Sequence, residues 1–227
     1  MPADGAAPLR ADIIVEYIQK LIPSLDGVHP LVSSLESKKL DDLYKKKDFE
    51  GMVRRVAEIL KLSLQIRVET ACFLGPLKGA MWIDMPLRVP LCGKRDFTIT
   101  KATVYFRQSF LDCAPFETIV FGIAHELSHV VLRSIDHELK SDEIAVDLTA
   151  MMLGFRNFYL AGHAYTRIKK MWRILNIPRA VRLWLEKVYG VYDIEVVKVG
   201  YLTAREIRYA AVLMCEIEKI QNKYKNN

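Results

Sequence analysis

Apolar residues recur at two different periods along this chain, and the change of period divides it. Ile13, Ile14, Tyr17, Ile18 and Leu21 repeat at helical spacing, with Pro23 placed to end that helix. Residues 24–37 read as loop. A second helix is predicted over about 40–60, with Met52, Val53, Val56, Ile59 and Leu60 inward and Lys45, Lys46 and Lys47 on a solvated face. The period then shortens. Residues 63–69 alternate, with Leu64, Ile66 and Val68 on one side, as a half-buried strand does. Gly75, Pro76 and Gly79 mark a turn. Residues 80–85 predict a short strand, and 97–106, rich in β-branched and aromatic residues, predict one or two more.

Helical spacing returns after Asp112. Pro115 suits a first helical turn, and the apolar runs 119–124 and 130–132 predict a buried helix to about Arg133. Ser141 is the predicted N-cap of the next helix, which reaches about Phe158. Two short basic amphipathic helices are expected at about 164–175 and 178–189. Thr203-Ala204-Arg205-Glu206 is a capping box, opening a final helix to about Tyr224. The expected fold class is α+β, a small sheet packed on the central helix with helical flanks. One domain over 1–227 is expected: a helical part (1–62), a core of sheet and site (63–160) and a basic helical part (161–227).

Composition changes this picture little: 51% hydrophobic and 26% charged residues are ordinary for a globular chain. No apolar run approaches the roughly 20 residues that span a bilayer. Asp4, Arg10, Asp12 and Glu16 do not fit the basic-then-apolar layout of a secretory leader, so a soluble cytoplasmic protein with no membrane association is expected. Cys72, Cys92, Cys113 and Cys215 form no C-x-x-C pair and read as buried thiols in a reducing compartment. Charge adds a second signal. Residues 162–190 hold seven basic residues against Glu186 alone, which accounts for the net charge of +6. That segment is a candidate surface for an acidic or nucleic-acid partner, weighed against a solvated face over a packed core.

The chemistry lies in the central helix. His125-Glu126-Leu127-Ser128-His129 sets two imidazoles four residues apart, on one helical face, with a glutamate beside the first. This is the H-E-x-x-H arrangement, which holds a metal ion between the histidines and offers the glutamate as general base. Ionisable groups in so apolar a helix are costly without a partner, and zinc is the simplest one. Catalytic zinc takes a third protein ligand. Glu143, in the first turn of the next helix, is the best placed; His137, Glu138 and Asp142 are the alternatives. Asp147, one turn further, is placed to accept a hydrogen bond from a ligand imidazole.

His125-Glu126-Leu127-Ser128-His129 followed by Glu143-Ile144-Ala145-Val146-Asp147 resembles the gluzincin metallopeptidases, in the style of small ImmA/IrrE-type proteases, over about residues 98–160. The segments 147–150, 153–155 and 200–203 are similar to uncharacterised bacterial H-E-x-x-H proteins. The resemblance implies a zinc metallopeptidase acting on a peptide or protein: His125, His129 and Glu143 hold the metal, and Glu126 takes the proton of the attacking water. Candidate transition-state donors are Arg156, His163 and Tyr165. An extended substrate is expected on a sheet edge, with 103–110 the strand that offers it. The competing readings are a nucleic-acid-associated protein binding through 162–190, and a zinc protein whose metal is purely structural. The absence of cysteine near the motif and the presence of Glu126 weigh against the last.

Overall fold

The computed structural model describes residues 9–71, 80–169, 193–198 and 200–225, and at 165–169, 193–198 and Lys225 the backbone alone. The architecture is α+β. Helix α1 (Ala11–Ser24) buries Ile14, Ile18 and Leu21 and carries Pro23 in its last turn. The helix expected over 40–60 is instead two. Helix α2 (Ser34–Lys45) begins inside the expected loop, where Ser33 Oγ accepts from the Glu36 N–H at 3.2 Å. Lys47, at φ +56°, then reverses the chain, and Asp48 caps α3 (Phe49–Ile59) by accepting from the Gly51 N–H at 2.8 Å. A residue with positive φ breaks the helical hydrogen-bond ladder, and a capping aspartate restarts it.

Strands β1 (Gln65–Ala71), β2 (Met81–Asp84) and β3 (Lys101–Arg107) form one mixed sheet in the order β1-β3-β2. β1 runs parallel to β3, pairing Val68 with Val104; β2 runs antiparallel to it, pairing Ile83 with Val104. Ala102, Val104 and Phe106 turn into the core from the central strand. Two expectations are corrected here. Residues 95–98 form the helical turn α4 (Arg95–Thr98), closed by the Thr98 hydroxyl donating to the Arg95 carbonyl, so the strand starts only at Lys101. The edge assigned to 103–110 is also wrong: β3 is hydrogen-bonded on both sides and passes into α5 (Gln108–Leu111). β2 lies at an edge of this sheet.

Helix α6 (Phe116–Ser134) starts after Pro115 and is buried over 118–128 on every face, as a central helix must be. It touches β2 closely, since a Cβ at Gly122 would lie 3.0 Å from Met81 Cε. Helix α7 (Glu143–Ala150) is capped by Asp142, not Ser141: Asp142 Oδ1 accepts from the Ile144 and Ala145 N–H groups at 2.9 and 3.2 Å. The helix expected to run unbroken to Phe158 passes through a π-helical turn (Met151–Phe155) into α8 (Arg156–Gly162). The break serves a contact. Met152 and Gly154 give their carbonyls to the N–H groups of His29 and Val32, and Gly154 sits at φ +104° with only 2.4 Å between a would-be Cβ and the Pro30 oxygen.

The first basic helix, expected at 164–175, is contradicted at its start. Ala164–Lys169 is strand β4, paired antiparallel with β5 (Asp193–Lys198). Tyr, Thr and Ile in the first and Ile, Val and Val in the second are strand-forming residues that helical periodicity alone did not expose. The rest of the basic segment, 170–190, lies outside the described residues. The last helix, α9 (Ala204–Lys225), opens on the expected capping box: Glu206 N–H donates to Thr203 Oγ1 and Thr203 N–H to Glu206 Oε2. Among the described residues no helix is long and apolar enough to cross a membrane.

Candidate metal centre

Helices α6 and α7 bring three ligand atoms to one point. Glu143 Oε2 lies 3.2 Å from His125 Nε2 and 3.3 Å from His129 Nε2, and one ligand atom from each residue falls within 4.8 Å of the others. The i, i+4 spacing on α6 supplies the two imidazoles, and the Asp142 cap turns the first residue of α7 toward them. Glu143 Oε2 is buried and makes no hydrogen bond of acceptable geometry. An orphaned carboxylate oxygen facing two imidazole nitrogens is a costly arrangement without a cation between them. Two nitrogens and one oxygen fit a divalent ion with a further position open.

Asp147 fixes the first ligand. His125 Nδ1 lies 2.8 Å from its Oδ1, leaving Nε2 to face Glu143 and free to ligate a metal ion. The fully buried carboxylate also accepts from the Tyr159 hydroxyl at 3.2 Å and, on Oδ2, from the backbone N–H groups of Tyr201 and Leu202 at 2.8 and 3.2 Å. Those two N–H groups belong to the turn before α9, which Gly200 permits at φ +83°; a Cβ there would come within 2.6 Å of Phe121 Cζ. The turn lays the Tyr201 ring on His125, centroids 5.8 Å apart and planes 20° from parallel.

The charges reflect this crowding. Burial favours a neutral His125, yet Asp147 and then Glu143 overcome it and hold its pKa up at about 10. The two imidazoles pull Glu143 down to about 2. Glu126 is buried, and desolvation raises its pKa against the pull of the imidazoles and the N–H of Ile83. All these groups meet in a cleft of about 340 Å³, lined by β2 and the adjoining Met85 on one side and by α6, Glu143 and Tyr201 on the other.

Of the other residues singled out from sequence, none whose side chain is described joins this cluster. Asp142 caps α7 and accepts from the Tyr17 hydroxyl, Glu138 pairs with Lys20, and His137 Nδ1 accepts from the Leu139 N–H. Arg156 is turned away: it is 1% exposed, donating to the His29 carbonyl and to Glu218. His163 ends α8, outside the lining of the cleft, and the side chain of Tyr165 lies outside the described residues. Among the polar residues lining the cleft, sequence reasoning assigned no role to Arg133 and Tyr201. Arg133 had a signal, being four residues beyond His129 on the ligand face; Tyr201, 72 residues beyond that histidine, had only the glycine before it and the resemblance of the segment 200–203. No family model matches this chain, and no curated protein or solved structure is significantly similar to it.

Proposed function

We propose that this protein is a zinc-dependent hydrolase of the gluzincin type that cleaves peptide bonds. The observation that carries this reading is the convergence of His125, His129 and Glu143 on one point, with buried Glu126 beside them in a cleft open along a sheet edge. A donor set of two imidazoles and a carboxylate suits zinc, which supplies Lewis-acid activation of a water and of the substrate carbonyl when bound.

The remaining work falls to the chain's own groups. Glu126 takes a proton from the attacking water and returns it to the leaving nitrogen; burial raises its pKa, which favours the return of that proton from a stronger base. Tyr201 lines the cleft, and its phenol pKa is raised by burial and by the nearby carboxylates, so it stays protonated and donates to the carbonyl oxygen. It takes the role that sequence reasoning offered to Arg156, His163 and Tyr165. The β2 edge receives the substrate as an added strand, in place of 103–110. A structural metal would need neither a second buried carboxylate beside the donor set nor an open cleft.

The test is direct. Purified protein should carry about one zinc per chain. Glu126→Gln should keep that zinc and lose at least ~100-fold in hydrolysis of a peptide library. Zinc-free protein with all ligands intact, or full activity in Glu126→Gln, would sink the reading.

A further inference from the structure

The cleft is lined by two carboxylates, two imidazoles, a phenol and apolar side chains, and by one guanidinium. Among its described lining residues Arg133 is the sole lysine or arginine. It stands in the last turn of α6, and His125, His129 and Arg133 form a ladder at i, i+4 and i+8 on one helical face. Half-buried guanidinium groups elsewhere are paired: Arg10 with Glu206, Arg55 with Glu36 and Glu58. The Arg133 side chain has no hydrogen bond or ion pair among the described residues. The cleft's own acids do not use it either. Burial and the two imidazoles dominate at Glu126, and the imidazoles at Glu143. A planar cation with five donors is therefore left facing the cleft, and its matching ligand is a carboxylate bound bidentately.

We propose that Arg133 forms a carboxylate-binding subsite of this cleft, so that the substrate carries a negative charge close to the bond that is cut. The proposal rests on the reading of the cleft as a metal-dependent peptidase and adds its substrate class. Four helical residues advance about 6 Å along α6, and an extended peptide advances about 3.4 Å per residue, so the carboxylate lies one or two residues from the scissile bond. Two sources offer that chemistry: the free C-terminus of a peptide and an internal aspartate or glutamate side chain.

Peptide hydroxamates, which anchor on bound zinc, test this without turnover. One pair of ligands ends in a free carboxylate or a primary amide; a second pair has an amidated end and differs by glutamate against glutamine. Binding to the zinc-loaded protein is measured by calorimetry. In at least one pair the charged member should bind about tenfold tighter, and the pair that responds identifies the source. Arg133→Gln should abolish that gap while leaving zinc stoichiometry and the affinity of the neutral ligand unchanged, and Arg133→Lys should keep part of it. Equal affinities in both pairs, a gap that survives Arg133→Gln, or no hydroxamate binding to zinc-loaded protein overturns the subsite. A charge preference in a protein that cleaves no peptide would overturn the peptidase reading instead and leave the subsite standing.

Discussion

Asp147 is the residue on which the candidate centre depends most, because four donors from three places in the chain meet on one carboxylate. His125, Tyr159, Tyr201 and Leu202 all donate to it. An amide at this position keeps the shape but turns one acceptor into a donor. Asp147→Asn should weaken zinc binding by about 10- to 100-fold, read by competition with a chromophoric chelator; unchanged affinity would reduce Asp147 to a purely structural part. Protons compete with the metal at the same place. Below its pKa of about 10, metal-free His125 holds a proton that zinc must displace, so zinc affinity should rise about tenfold per pH unit between pH 7 and 9. Calorimetry in buffers of different ionisation enthalpy counts the proton released; a flat profile would contradict the coupling. The same shifts act on the metal-free fold. His125 is raised above 6.5, so its contribution is complete below 6.5 and is lost as pH rises through about 10. Glu143 is lowered from 4.5, so its contribution is complete above 4.5 and is lost as pH falls through about 2. Residues four apart on one helix were legible from spacing alone, which is why His125, Glu126 and His129 needed no structure. Tyr201 was not, because a tertiary turn held by Asp147 brings it to the site.

At the scale of elements, the two ends of the chain are tied together next to the centre. Arg10, just before α1, donates from Nε to Glu206 Oε1 at 2.6 Å, from Nη2 to Glu206 Oε2 at 2.8 Å and to the Tyr201 carbonyl at 3.1 Å. Glu206 belongs to the first turn of α9 and is 2% exposed, while Arg10 is about a third exposed. Removing the cation strands a buried carboxylate, which costs about 3–5 kcal/mol in a fully buried pair; water at Arg10 reduces this to about 1–3 kcal/mol. Arg10→Ala should show that loss in urea unfolding, and a change under about 0.5 kcal/mol would mean that solvent replaces the pair. The capping box of α9 was legible because both of its side chains are local. Ser33 and Glu36 form the same kind of signal, yet the first turn of α2 was read as loop, since its lysine-rich sequence buries little beyond Leu40. At β4 a short stretch of mixed polar and apolar residues satisfied a helical period, and only pairing with β5 decides for the strand.

For the whole molecule the question is whether the metal makes the fold or only stabilises it. The core runs without interruption from α1 through the sheet to α9, and its large buried side chains include Phe97, Phe106, Phe121 and Phe155, none of them a ligand. A chain of this length buries enough apolar surface to fold without a staple, unlike small domains that unfold when their zinc is removed. The ligands nonetheless come from two helices, α6 and α7, and the turn before α9 rests on the same Asp147. Metal binding at this cluster would therefore stabilise the folded state by mass action, about 2.7 kcal/mol at a free concentration one hundred times Kd. For about 227 residues that should raise Tm by about 5–10 °C. Chelation should thus lower Tm by that amount and leave the far-ultraviolet circular dichroism at room temperature unchanged. His129→Ala should show the lower Tm with or without added zinc. Loss of the helical signal on chelation would mean that the metal builds the core; an unmoved Tm in wild type would mean that no metal binds where α6 meets α7.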